Sequence, residues 1–194
     1  MNGKKNLMRL TTTALLMALI VLLGLTPLGF INIGVVNATL LCIPVIVGTL
    51  AMGRNAGLLL GLCMGVVSFG RGINAPSPLF APIVQSGWLN FFILCHAPRI
   101  LVPVVTASVV QVFKGKREKI SFVVASVFGS LTNTIIMLGF TLIFYIWMGI
   151  ANPAFLATLV GIVLTAGLPE AFLAAIISPP ILIALKKAGL LKRL

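Results

Sequence analysis

The sequence predicts an all-α integral membrane protein, one six-helix domain over residues 1–194, and three observations carry that prediction. Of its residues 60% are hydrophobic and only 8% charged, whereas a soluble domain carries about a quarter charged residues. Apolar stretches recur along the chain, and a bilayer-spanning helix needs roughly 20 such residues. Finally, the charge is one-sided in sign: two acidic residues, Glu118 and Glu170, stand against fourteen Lys and Arg.

The first span is read at 8–29. Its basic start (Lys4, Lys5, Arg9) and apolar run also fit a secretory leader, but no small-x-small cleavage site follows and more spans do. The others are read at 35–52, 56–71, 97–113, 120–148 and 168–186. Counted this way, Lys4, Lys5 and Arg9, then Arg54, then Lys114, Lys116, Arg117 and Lys119, then Lys186, Lys187, Lys192 and Arg193 all fall on one side. The positive-inside rule makes that side the cytoplasm and places both termini there. Segments 76–96 and 150–167 are apolar too, yet either one as a further span would carry later basic clusters outside. They are read as outer loops, half-helices or re-entrant segments that cap a pocket. Pro76, Pro78, Pro82 and Asn152-Pro153 serve as breakers.

Depth follows from counting back to the basic clusters. Glu170 lies sixteen positions before Lys186, Arg99 fifteen before Lys114 and Asn133 fourteen after Lys119; at 1.5 Å per residue each is roughly 20–25 Å from the cytoplasmic edge. Asn37, Ser68 and Arg71 reach matching depths relative to Arg54. Five helices thus place polar groups in one outer layer, and an ionisable residue inside a membrane segment marks a functional site by default. Ala97-Pro98-Arg99 and Leu168-Pro169-Glu170 read as two helix starts, because proline is favoured in the first turn. Arg99 and Glu170 then have two roles open to them. They form an ion pair that pins two helices, a poor source of stability by itself. Alternatively, Arg99 offers its planar fork to a ligand carboxylate while Glu170 and Asn133 bond hydroxyl or amide groups. His96 stands beside Arg99 as a titrating neighbour or a wall residue. Trp88 and Asn90 lie on the first cap as lid residues or as an interfacial belt.

Small residues four apart mark close helix contacts in lipid. Ala14 and Ala18 on the first helix fit either internal packing or a partner; Gly57, Gly61 and Gly65 on the third fit internal packing. The chain has no GxxxxGK[ST] loop, no paired His and no two-carboxylate arrangement. No enzyme activity, cofactor or ATP motor is therefore expected in this chain. Cys42, Cys63 and Cys95 lack metal-ligand spacing, so no metal is expected. Topology accounts for the basic excess, so lipid rather than nucleic acid is the expected partner.

Several of these stretches together are similar to one family. They are Ala14-xxx-Ala18, Thr26-Pro27-Leu28-Gly29-Phe30, Asn37-Ala38-Thr39-Leu40, Ile43-Pro44-Val45-Ile46-Val47-Gly48, the glycine seam, Pro98-Arg99-Ile100-Leu101 and Pro169-Glu170-Ala171. They resemble the substrate-binding (S) components of energy-coupling factor (ECF) transporters, with most likeness to the pantothenate-type members. The resemblance implies a multi-pass protein of a prokaryotic cell membrane that captures a water-soluble vitamin near the outer face. It implies partners as well: a membrane scaffold (T) subunit, contacted through Ala14 and Ala18, and two ATPase subunits that use the ATP. S components for riboflavin or folate, and a stand-alone facilitator, are the competing expectations.

Overall fold

A computed structural model describes the backbone of residues 2–26, 29–33, 36–113 and 118–189, and the side chains of these residues other than 2–5, 30–38 and 118. The basic residues Lys114, Lys116, Arg117, Lys192 and Arg193 lie outside the described residues.

Helix α1 (Asn2–Leu25) is followed by strands β1 (Phe30–Ile33) and β2 (Val36–Thr39), then by α2 (Cys42–Met52) and α3 (Arg54–Asn74). A short α4 (Ala81–Ser86) leads into α5 (Trp88–Val112), α6 (Glu118–Trp147), α7 (Pro153–Ile162) and α8 (Leu168–Lys187). Among the described residues five helical stretches are long and apolar enough to cross a membrane, and Cys42–Met52 is a shorter apolar helix.

The predicted span 35–52 is corrected. Its first part is the second strand of an antiparallel hairpin, with Phe30 paired to Thr39 and Ile33 to Val36. Only 42–52 is helical, so a helical domain carries one short hairpin. Phe, Ile, Val and Thr dominate these strands, and such residues suit a pleated backbone better than a helix.

Of the two predicted helix starts at proline, one holds and one is corrected: α8 begins at Leu168 with Pro169 in its first turn, but Pro98 starts no helix. Helix α5 begins at Trp88, and Pro98 and Pro103 lie inside it; residues 88–96 of the supposed cap 76–96 therefore belong to α5, and 81–86 form α4. The segment 150–167 is helical as well. Asn152 caps α7, its side-chain oxygen accepting from the Phe155 N–H at 2.7 Å, and Pro153 occupies the first turn, where its missing N–H costs nothing. Residues read as breakers thus begin a helix. Between α7 and α8 the chain never leaves helical geometry but widens into a π segment, Val163–Gly167. Widening moves the hydrogen bonds one residue further along, and such bulges concentrate at functional sites.

Helices α5 and α6 pack together; α3 lies against α5, and α8 against α6 and α2. The glycine seam explains the α3–α5 approach. A Cβ at Gly61 would collide with the Arg99 carbonyl oxygen, and one at Gly65 would stand 2.7 Å from the His96 ring. Proline cannot donate to the carbonyl four residues earlier, so Pro103 leaves the Arg99 carbonyl free. Gly61 lets α3 lie directly on that carbonyl. One apolar cluster, around Ile46, Leu50, Leu60 and Val102, fills the space between α1, α2, α3 and α5. A second, around Ile83, Phe91, Leu94 and Phe155, binds α4, α5, α6 and α7.

Candidate solute-binding site

Between these clusters lies a cavity walled by β2, α3, the α3–α4 connection, α5, α6, the α7–π segment and α8. About 80 Å³ of it is open to the centres of water molecules, several times the roughly 10–15 Å³ that one water requires. Its wall is mostly apolar, with polar groups from separate elements converging on it: Arg71, Arg99, Asn133 and Glu170, together with Ser68. Depth counting had grouped these five. Asn37, the sixth, lies on β2 with its side chain outside the described residues.

Arg99 is 6% exposed. Its Nη1 donates to the Leu94 carbonyl at 3.1 Å, and Nη2 lies 3.9 Å from the Met137 sulfur, a weak acceptor. Nε has no partner. Among the described residues no ion pair joins Arg99 to Glu170; the carboxylate is engaged elsewhere. One of its oxygens accepts from the backbone N–H of Thr39, at the end of the hairpin, and the other lies 3.5 Å from the Thr134 hydroxyl. Glu170 thereby ties α8 to the hairpin and meets a backbone donor that an apolar surround would otherwise leave unpaired.

Asn133 is 3% exposed and its Oδ1 is unpartnered. Seven buried side-chain polar atoms lack a partner among the described residues. Four belong to residues of this one cavity: Thr39 Oγ1, Ser77 Oγ, Arg99 Nε and Asn133 Oδ1. Leaving such groups unpaired costs about 1–3 kcal/mol each, and their convergence gives this wall hydrogen-bonding capacity that the described residues do not use. Arg71, from the end of α3, also donates from Nη1 to the Gly24 carbonyl of α1 at 3.3 Å.

Three candidates do not line the cavity. The His96 ring turns toward α3, stacking on Phe92 at 3.9 Å between centroids, with Nδ1 3.0 Å from the Phe92 carbonyl. The hollow it fills is the one that Gly65 leaves. Trp88 is 65% exposed, and Asn90 donates to the Ser86 hydroxyl at 3.1 Å. The wall residues that sequence reasoning passed over include Thr39, Ser77, Phe80, Thr134 and Met137. A signal for Thr134 and Met137 was present: they follow Asn133 at i+1 and i+4 on the same helix. On α1, Ala14 and Ala18 are both exposed, while Leu16, Met17, Ile20 and Leu23 pack inward.

A helical membrane protein with a partly open, partly polar cavity among its described helices has the form of a binder of small solutes. The comparisons make the class specific. The family model described as "ECF transporter, substrate-specific component" matches residues 8–182, and the chain belongs to that family. Its relatives include the pantothenic acid transporter PanT of Lactococcus lactis subsp. cremoris (strain MG1363), 32% identical over 164 residues, covering 79% of this chain and 80% of the relative.

Proposed function

We propose that this chain is the pantothenate-capturing subunit of an ECF-type vitamin importer in a prokaryotic plasma membrane. The observation that carries the ligand class is the unpartnered Nε of Arg99, beside an Nη2 that meets only the weakly accepting Met137 sulfur. In a guanidinium, Nε and Nη2 form the side-on fork that matches a carboxylate. Nη1, the nitrogen outside that fork, is the one engaged with Leu94, whereas Nε is unpartnered. Pantothenate is a monocarboxylate with hydroxyls and an amide. One cation suits its charge, and Asn133, Thr39 and Ser77 supply neutral hydrogen-bonding groups. The relative's printed name supports the same vitamin.

Equilibrium binding to the purified protein tests this reading, comparing pantothenate with its neutral alcohol analogue. The acid is expected to bind at least tenfold more tightly, a difference of about 1.4 kcal/mol. Equal affinities would remove the carboxylate assignment, and retention of a different vitamin by the purified protein would replace the substrate.

The topology that accompanies this function has six membrane-crossing elements, with hairpin and α2 together forming the second, and both termini in the cytoplasm. The connection 75–80 and the hairpin close the outer side of the cavity. Cysteines placed at Lys119 and Lys187 should react only from the cytoplasmic side; labelling from outside intact cells would refute the arrangement. Ala14 and Ala18 form the docking stripe for the scaffold subunit and its two ATPases, a role that their exposure on α1 supports. Replacing both with Trp should stop ATP-driven uptake and spare binding by the isolated protein. Loss of binding would assign the stripe to the fold instead.

A further inference from the structure

We propose that Pro98 is a positioning residue for ligand binding: it keeps the Leu94 carbonyl free to hold the Arg99 guanidinium. This rests on the carboxylate role proposed for Arg99 and extends it to the backbone. In an α-helix the carbonyl of residue 94 accepts from the N–H of residue 98, but proline has no N–H to give. Pro98 lies within α5, eleventh of its 25 residues, so the carbonyl left over is buried in the middle of a membrane helix, where it needs a donor.

The donor found is the next residue's own side chain. Arg99 reaches back along α5, and Nη1 meets Leu94 O at 3.1 Å. Long side chains on a helix lean toward its N-terminus, so the reach follows the natural direction. Anchoring Nη1 fixes the plane of the guanidinium. Because the group is rigid and planar, it also fixes where Nε and Nη2 point. The backbone is clamped too: Pro103 frees the Arg99 carbonyl, and Gly61 seats α3 against it. Prolines on either side of one arginine therefore fix its two ends, side chain and main chain. Helix stability gains nothing from this, since an interior proline is unfavourable. What the arrangement secures is orientation.

Pro98→Ala separates orientation from stability because it moves them in opposite directions. The substitution restores the N–H of residue 98, which then competes with Nη1 for the Leu94 carbonyl. The variant should melt at a higher temperature without ligand and bind pantothenate about fivefold more weakly, the scale of one hydrogen bond's net worth. In an Arg99→Ala background, Pro98→Ala should leave affinity unchanged. A cycle of melting temperatures on ligand-free protein tests the same point without any vitamin. With Pro98 in place, Arg99→Ala takes away the side-chain donor that the Leu94 carbonyl depends on. In the Pro98→Ala background that donor is redundant, because the backbone supplies another. The shift in Tm caused by Arg99→Ala should therefore be more unfavourable in the first background.

Failure of wild type to bind pantothenate would strike the proposed substrate and leave the melting cycle intact as a test of positioning. Equal Tm shifts for Arg99→Ala in both backgrounds would overturn positioning whatever the ligand. So would an unchanged affinity in Pro98→Ala when wild type binds.

Discussion

Helices α5 and α8 carry the same local sequence device, a proline followed at once by a buried charged residue, and they use it differently. In α5 the helix keeps its α geometry through Pro98, and the arginine takes the orphaned carbonyl, leaving its Nε unpartnered. Ahead of Pro169 the chain relaxes into π geometry, and Glu170 is claimed by neighbours, the Thr39 amide and the Thr134 hydroxyl. Arg99 is anchored within its own helix and faces the cavity with spare capacity. Glu170 is anchored across elements and holds the hairpin. Likeness in sequence is therefore no guide to role; the partners each group already has decide how much remains for a ligand.

The widest separation between the two should come from deleting each charge. Arg99→Ala is expected to weaken binding of the acid by about two orders of magnitude or more, since losing a buried charge-assisted pair costs a few kcal/mol and about 1.4 kcal/mol is tenfold. Arg99→Lys should recover only part, lacking the fork. Isothermal titration would read both, and an Arg99→Ala protein with near-native affinity would erase the contrast.

A smaller effect is expected at Glu170, and its pattern is the sharper test. Glutamine keeps an oxygen that accepts from Thr39, so Glu170→Gln should retain affinity within a few-fold, while Glu170→Ala should lose about tenfold, roughly one good hydrogen bond to a charged group. Hydrogen exchange at the Thr39 amide should accelerate in the ligand-free alanine variant and stay slow in the glutamine variant. If Gln and Ala were equally damaging, Glu170 would contact the ligand through its charge, and the two helices would play like roles after all. Least affected should be Thr134→Val. Its contact is long at 3.5 Å, so a change beyond about threefold, near 0.7 kcal/mol, would show that Thr134 touches the solute directly.

What the sequence could reveal of this site depended on the physics each residue obeys. Arg71, Arg99, Asn133 and Glu170 lie on helices, where a fixed rise turns sequence distance into depth, so counting from basic residues grouped them. Thr39 ends a strand and Ser77 lies in a connection, where no such ruler applies. His96 stands three positions from Arg99 but fills the hollow beside Gly65, a matter of what faces it across the helix pair. The prolines misled for a different reason. A proline signals an unpaired carbonyl, but only three-dimensional surroundings decide whether the chain stops there or a side chain, here that of Arg99, supplies the bond. At the hairpin, reading 35–52 as a single span merged the strand residues 36–39 with the apolar helix 42–52 that soon follows, which hid the change from strand to helix.

The two arginines and one carboxylate in the cavity wall have an electrical consequence. In formal terms the empty site carries one positive charge, and a monoanionic guest cancels it. Moving one elementary charge through 100 mV involves about 2.3 kcal/mol. If the site shifts within the membrane field during transport, the loaded protein does so without electrical work on its cargo, while the empty one feels the potential. The resting voltage of the cell would then act on the return of the vacant carrier and spare the delivery step, so uptake should respond to membrane potential most strongly where recovery of the empty protein limits the cycle.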